Sequence, residues 1–330
     1  MKAARLDAVV CTYNNAPSLE RTLRSIAAQE LHAAQALSIL VVDNNSTDDT
    51  PEAVRRVLET AGCRYRYVRE ERQGLAFARQ RAFLESQADW LAFIDDDCEL
   101  NARWLLRAGT HALSYPRAGA FGGRVRAVLP ADAPSFAERR RPAFAEQDCG
   151  PAPLLLDEPI PRLVGAGLVV RKRAVEASGW LETFSLSGRA GATLGAGEDT
   201  ELLLAVRRAG YETWYFPDLR LDHHIAAPRV TLDYLCRLHY GLGASRPALQ
   251  LLAGQASVES LPRRAFFLAR HAAGLAWFTA RWALAALARS DREPDRRIDW
   301  HQMRGRARGA LRLAGAARDE NPPRAAATKG

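Results

Sequence analysis

Leu37-Ser-Ile-Leu-Val-Val-Asp43 runs directly into Asn44-Asn-Ser-Thr-Asp-Asp-Thr-Pro51, and this junction decides the fold class. Apolar residues follow one another here instead of alternating with polar ones, which is the pattern of a strand covered by helices on both faces. The polar run after it is dense in turn and helix-capping residues and leads into a helical pattern over Thr50–Thr60. Outward from this unit the same alternation repeats. Leu6–Thr12 reads as a strand before a helix at Ser18–Gln29, Tyr65–Val68 precedes a helix at Leu75–Ser86, and Trp90–Asp95 is a further strand. Such a βαβ series predicts an α/β fold with a doubly wound, mostly parallel, Rossmann-like sheet. Ligands of these sheets lie beyond the carboxyl ends of the strands. Polar clusters stand at three of those ends: Thr12-Tyr-Asn-Asn15, Asp43–Asp48 and Asp95-Asp-Asp97. Three strand ends are therefore expected on one rim.

Further along, Pro130–Pro161 is rich in proline, contains Glu138-Arg-Arg-Arg141 and has no periodicity, so it is expected to be a long irregular lid or disordered loop. A Gly-rich strand is expected at Leu163–Arg171, then a short helix ending at Gly179 and a Gly-rich loop from Ser185 to Gly197. Glu198–Arg208 reads as an amphipathic helix, and Trp214–Pro217 and Leu219–His223 as two short extended segments. After Thr231 the pattern is helical. The expected division is a catalytic domain over 1–229, a basic helical extension over 230–320 and a disordered tail over 321–330.

The 330 residues carry 46 basic and 38 acidic side chains, and 48% of them are hydrophobic, enough for a large core. Charge is unevenly placed: residues 230–330 hold 17 Arg and Lys against 8 Asp and Glu. That balance suits nucleic acid, anionic lipid or a phosphorylated substrate. Nucleic acid is not expected, because no recognition module is present. The five cysteines are odd in number and never form a Cys-x-x-Cys pair, so neither a disulfide framework nor a zinc site is expected, and a reducing cytoplasm fits. No signal peptide is expected at Met1, and Ala272–Ala280, bounded by Arg270 and Arg281, falls short of a membrane span.

Asp95, Asp96 and Asp97 follow an apolar strand, and extended geometry puts the first and third on one side. A divalent cation bridging to phosphate oxygens relieves the repulsion of such carboxylates; a solvated acidic turn is the alternative. Asp43 at its strand end can cap the turn or accept hydrogen bonds from a base or ribose. Gly74 before a helix that carries Arg79 favours phosphate. Gly195-Ala-Gly197 delivers Glu198 and Asp199 to a helix start, where acids also suit the dipole. His223 and His224 close a later strand.

Taken together, Val9-Val-Cys-Thr-Tyr-Asn-Asn15, Val41-Val-Asp-Asn-Asn-Ser-Thr-Asp48, Gln73-Gly74, Ala78-Arg79, Phe93-Ile-Asp-Asp-Asp97, Gly165-Ala-Gly-Leu-Val-Val-Arg-Lys172, Gly197-Glu-Asp199 and His223-His224 resemble a family 2 glycosyltransferase of the GT-A fold. The resemblance covers roughly residues 5–245. Ser187-Gly-Arg-Ala-Gly191 and Leu194-Gly-Ala-Gly-Glu-Asp199 further resemble the bacterial exopolysaccharide and capsule subgroup, including hormogonium-polysaccharide-type transferases. The resemblance implies inverting transfer of a hexosyl or N-acetylhexosaminyl group from a nucleotide sugar, a UDP-sugar above all, to a glycan or polyprenyl-linked acceptor, with Mn²⁺ or Mg²⁺. It also implies roles. Thr12, Tyr13 and Asp43 contact the base, Asp43 through uracil; Arg79 and Asp96 fall among the nucleotide contacts. Asp95 reaches toward ribose and metal-bound water, Asp97 and His223 hold the metal, Asp199 is the general base with Glu198 beside it, and Gly167 and Arg189 lie on the acceptor side. The family's Gly-Gly-Phe-Asp run is replaced here by Gly179-Trp-Leu-Glu182.

Two rivals are a sugar nucleotidyltransferase, which would bring a Gly-rich basic loop after the first strand where this chain has Thr12-Tyr-Asn-Asn-Ala-Pro17, and a non-catalytic sugar-nucleotide or membrane-binding protein of the same fold. The carboxylates at Asp95, Asp97 and Asp199 argue against the second. In the basic third, Phe267, His271, Leu275, Phe278, Trp282 and Ala285 form one helical stripe beside Arg263, Arg270 and Arg281. That stripe is expected to lie in a lipid interface, holding the protein peripherally on the cytoplasmic face of the inner membrane; an ordinary helix packed on the catalytic domain is the alternative.

Overall fold

A computed structural model describes residues 4–31, 37–186, 188–190 and 193–319. The first elements are β1 (Leu6–Thr12), α1 (Ala16–Ala27), β2 (Ile39–Asp43), α2 (Thr50–Thr60), β3 (Tyr65–Arg69), α3 (Leu75–Glu85) and β4 (Trp90–Phe93). There follow β5 (Cys98–Leu100), α4 (Trp104–Ser114), β6 (Ala118–Val128), α5 (Ser135–Glu138), β7 (Leu154–Leu155), β8 (Leu168–Arg171), α6 (Lys172–Ser178) and α7 (Trp180–Thr183). A small hairpin of β9 (Arg189–Ala190) and β10 (Thr193–Leu194) precedes α8 (Glu198–Arg208) and β11 (Glu212–His224). Three helices close the chain: α9 (Leu232–Leu252), α10 (Leu261–Leu287) and α11 (Glu293–Asp319). The tail expected to be disordered, 321–330, lies outside the described residues, as do residues 187, 191 and 192 of the Gly-rich loop.

Two compact units divide the chain, the first ending at Leu238 inside α9 and the second beginning at His239. The first is built on one sheet, in the order β3-β2-β1-β4-β8-β6-β11-β5 with β7 on β11. The first four strands are parallel, β6 and β11 are parallel to each other, and β8 lies antiparallel between β4 and β6. Successive apolar residues serve opposite faces, as their run in the sequence requires. Val10 and Val41 join α1, α2 and α4 in one core, whereas Val9, Leu40 and Val42 join α3, α6 and α8 in the other. Each such fully buried side chain contributes about 1.5–3 kcal/mol. The register Thr12↔Asp43 brings two strand ends level, and the Ile94 amide donates to the Val9 carbonyl at 2.9 Å, carrying Asp95 to the same rim.

Two expectations need correction. The stretch 130–161 is irregular for most of its length, as expected, but it is not a disordered loop: it holds α5, a 3-10 turn at Arg141–Phe144 and the two-residue β7. Gln147 and Val125 exchange both backbone hydrogen bonds at 2.9 Å, and the Gln147 side chain donates to the Gly123 carbonyl at 2.9 Å. Prolines mask this order in the sequence because they remove donors while pre-setting turns. The segments Trp214–Pro217 and Leu219–His223 are one strand, β11, with a bulge between Phe216 and Arg220 that accommodates Pro217.

In the second unit the lipid stripe expected on α10 is also overturned. Phe267 and His271 are buried, the Trp282 ring lies 4.8 Å from that of Trp300 on α11, and Trp282 Nε1 donates to Glu293 at 2.7 Å. That stripe packs on α11. Among the described residues no helix is long and apolar enough to cross a membrane.

Candidate active site

The rim at the ends of β1, β2 and β4 carries two carboxylate clusters. In the first, the loop after β4 presents Asp95, Asp96 and Asp97, and the antiparallel register Cys98↔His223 between β5 and β11 seats His223 beside Asp97. His223 Nε2 lies 3.0 Å from Asp97 Oδ1, and Arg229, after β11, donates to Asp97 Oδ2. On the other side of the ring His223 Nδ1 donates to the Phe144 carbonyl at 2.7 Å. His224 turns the opposite way, 3.0 Å from Glu99 on the exposed edge. Burial alone would raise Asp97, yet the charges of His223 and Arg229 outweigh it and hold its carboxyl well below the usual range. Burial would lower His223, and Asp97 in turn raises it.

Asp95, Asp97 and His223 fit a divalent cation. One ligand atom from each lies within 4.8 Å of the others. Asp97 Oδ1 is buried without a hydrogen-bond partner, so an electron pair is left for a metal. The Phe144 carbonyl holds Nδ1–H, so Nε2 is the nitrogen left for a metal once the proton it shares with Asp97 Oδ1 is released, which is how outer partners prepare a ligating imidazole. Two neighbouring ligands at the 2.0–2.1 Å typical of Mg²⁺ stand about 3 Å apart, the separation found between Nε2 and Oδ1. The donor set of two carboxylates and one imidazole suits Mn²⁺ as well.

Asp96 points away from this group. Its carboxylate accepts from Thr12 Oγ1 and Asn15 Nδ2, both at 2.7 Å, tying the end of β4 to the end of β1. Burial, and then Asp97, push it up to about 7. Tyr13 stands in the open, 38% exposed, at the same edge. Asp43 is fully buried: it accepts from the Ser46 amide at 2.8 Å and from the Tyr67 hydroxyl at 2.5 Å, so its carboxylate shapes the turn after β2.

The second cluster opens α8. Arg79 crosses from α3 with 2% of its side chain exposed and its Nη1 stands 3.5 Å from Glu198 Oε1. Burial opposes the Arg79 charge, but Glu198, Asp199 and Asp95 raise its pKa above the ordinary value. Burial and then the Asp199 charge push Glu198 up to about 7 against the pull of Arg79. Below about pH 7 Glu198 holds a proton, which removes its charge from beside Asp199. Asp199 is half-buried at the surface of α8, its Oδ1 accepting from the Thr200 amide at 2.7 Å. Arg189, exposed on β9, acts on both clusters through its charge.

Gly167, expected on the acceptor side, is held by the core behind it. With φ +73° its missing side chain is demanded by the core, since a Cβ would lie 2.5 Å from Leu221 and 3.3 Å from Trp104. Two glycines meet the site: at Gly165 a Cβ would lie 2.5 Å from Arg79 Nη2 and 3.2 Å from Asp199 Oδ2, and at Gly188, with φ +70°, 2.6 Å from Glu198 Cδ. Sequence reasoning also misses Arg229, the Phe144 carbonyl and Glu201, which accepts from the Ser185 and Leu186 amides at 2.9 Å and tethers the Gly-rich loop to α8. Gly165 stands within the motif Gly165–Lys172, whereas a backbone carbonyl has no sequence signal.

Residues 7–176, just over half of the chain, match the family described as Glycosyl transferase family 2. The chain is 27% identical over 245 residues to the succinoglycan biosynthesis protein ExoM of Rhizobium meliloti, covering 74% of each. It is 30% identical over 122 residues to glycosyltransferase AglE of Haloferax volcanii, covering 37% of this chain and only 40% of that protein. Among solved structures it resembles mannosyltransferase PcManGT from Pyrobaculum calidifontis, in complex with GDP-Man and Mn²⁺, with a TM-score of 0.55 at 23% identity over 94% of this chain and 87% of that one. At that identity the likeness is one of fold.

Proposed function

The chain belongs to glycosyltransferase family 2, and on that premise we propose that it moves a sugar from a nucleotide sugar, a UDP-sugar in the first place, to a hydroxyl of a glycan or polyprenyl-linked acceptor in cell-surface polysaccharide synthesis, with inversion at the anomeric carbon. The observation that carries the reading is the pairing on one rim of a divalent-metal donor set, Asp95, Asp97 and His223, with an acidic helix start at Glu198 and Asp199.

Asp95, Asp97 and His223 would hold Mn²⁺ or Mg²⁺, which when bound offsets charge growing on the departing diphosphate. Thr12 and Asp96 lock the donor edge, and Tyr13 is the exposed ring against which the base lies. A uracil contact by Asp43 uses a remaining lone pair of a carboxylate that Ser46 and Tyr67 already hold in place. Asp199 accepts the proton of the acceptor hydroxyl as its oxygen bonds to the anomeric carbon and the bond to the nucleoside diphosphate breaks. Glu198, carrying its proton, and Arg79 behind it orient that end of α8. The relative ExoM, named for succinoglycan synthesis, supports the polysaccharide assignment. The five free cysteines and the basic second unit support a place on the cytoplasmic face of the inner membrane, bound peripherally to an anionic surface.

The test is a panel of nucleotide sugars screened with Mn²⁺ for thermal stabilisation and for slow release of nucleoside diphosphate. One sugar should stand out in both. No stabilisation and no release by any member would reject the transferase reading.

A further inference from the structure

In the second unit, α9, α10 and α11 meet so closely that the level of each residue is set. A Cβ on Gly243 would lie 2.0 Å from the Gln302 carbonyl and one on Gly309 2.2 Å from the Ala244 carbonyl, so α9 and α11 touch backbone to backbone. Gly274 of α10 faces Met303 of α11 at 3.0 Å, and the α10 residue Arg270 reaches Gln250 of α9 at 3.5 Å. These contacts bring Arg246, Arg270 and Arg306, one from each helix, to one level. Arg306 Nε is buried without a hydrogen-bond partner, and none of the ion pairs among the described residues involves any of the three. Burial and then repulsion from Arg246 and Arg270 hold Arg306 below its ordinary value, as a cation cluster without an anion should.

Beside the cluster α10 presents an apolar face that nothing among the described residues covers. Phe266, Trp277, Leu284 and Leu287 are 63–83% exposed. With Ala273 and Ala280 they follow helical spacing, and Arg270, one turn after Phe266, borders them. This is the opposite side of α10 from the stripe that packs on α11. An apolar strip about 30 Å long edged by unpaired arginines matches the boundary between lipid headgroups and acyl chains in both polarity and charge.

We propose that Arg246, Arg270 and Arg306 take the phosphate of a membrane lipid while the face from Phe266 to Leu287 enters the acyl boundary. This deepens the membrane-surface reading and rests on it, and it is independent of the catalytic one. The chemistry recognised is a phosphate group, and the apolar face assigns it to a lipid.

The full chain is sedimented with phosphatidylcholine vesicles with and without phosphatidylglycerol. Binding to the anionic vesicles is expected. Arg270→Gln, exposed and safe for the fold, should weaken it several-fold, and Arg270→Gln with Arg306→Gln roughly ten-fold or more. Trp277→Ser with Leu284→Ser, both exposed, should also weaken it roughly ten-fold or more at unchanged helicity. The control Arg308→Gln with Arg312→Gln, of equal charge, should have a clearly smaller effect. Free pyrophosphate should compete in the parent chain and lose that effect in the Arg270/Arg306 variant. The proposal falls if the control pair weakens binding equally, if the serine pair changes nothing, or if light scattering shows a dimer that the serine pair dissolves. It falls also if pyrophosphate binds while vesicles do not, which would make the cluster a site for soluble phosphate. Absence of vesicle binding alongside intact stabilisation by UDP and Mn²⁺ rejects this inference and the membrane reading and leaves the catalytic reading standing.

Discussion

The Asp97 cluster and the Glu198 cluster use the same materials, a buried carboxylate beside an arginine, and shift in opposite directions. Asp97 has two cationic partners, His223 at 3.0 Å and Arg229 in direct contact, and is held well below the usual carboxylate range. Besides Arg189, whose charge reaches both clusters, Glu198 has one, Arg79 at 3.5 Å, which also serves Asp199 and Asp95, and it is pushed up to about 7. Burial acts on both in the same direction. What differs is the number of cations per carboxylate: the surplus at Asp97 favours an anion where a metal is to be held, and the deficit at Glu198 favours the protonated acid next to the base.

The largest break in that comparison is Asp97→Ala. It removes a metal ligand and strands Arg229 without a counter-charge, so we expect transfer to fall by about 10³-fold or more. Unfolding free energy should drop by about 3–5 kcal/mol, read by denaturant titration, and stabilisation by UDP with Mn²⁺ should disappear. Asp199→Asn should cost about 10²–10⁴-fold in transfer while metal-dependent UDP binding persists; near-normal rates would require a different base. Next is the pH response of the first cluster. Because His223 is raised above its ordinary value, a proton must leave before Nε2 can bind a metal, and below the raised value Mn²⁺ affinity should fall about ten-fold per pH unit; calorimetry at several pH values reads this slope.

The smallest effect belongs to Glu198→Gln, an uncharged mimic of the protonated acid, which should keep transfer within a few-fold. Its signature is stability. Glu198 is raised in the folded protein, so its contribution is fully present below the ordinary carboxylate value of 4.5 and is lost as pH rises through about 7. The parent chain should therefore lose on the order of 1–3 kcal/mol across that window from this group, and the variant should not. Equal pH profiles of Tm without metal would show that Glu198 is not the proton carrier.

Much of this was legible before the structure. The strand Leu6–Thr12 and the helices Thr50–Thr60 and Glu198–Arg208 agree with the structure residue for residue, because each is bounded by strong turn or capping residues and patterned by burial on known faces. The region from Cys98 to Val128 was not legible: β5 is three residues long, and the glycines of β6 dilute its strand pattern. In the site, motif spacing reaches Asp95, Asp97, Asp199 and His223. Arg229 as the counter-ion of Asp97, the Phe144 carbonyl behind His223 and Gly165 against Arg79 depend on how distant segments dock, which no local pattern encodes. On α10 the periodicity marks two apolar faces, and only the position of α11 decides which of them is free.

The most direct test of the account is turnover in the presence of a chelator. With the matched nucleotide sugar, release of nucleoside diphosphate should vanish in excess EDTA and return when Mn²⁺ or Mg²⁺ is restored, in the parent chain and not in Asp97→Ala. Undiminished turnover in excess EDTA would contradict the assignment of Asp95, Asp97 and His223 as a metal site, and with it the division of labour between the two clusters.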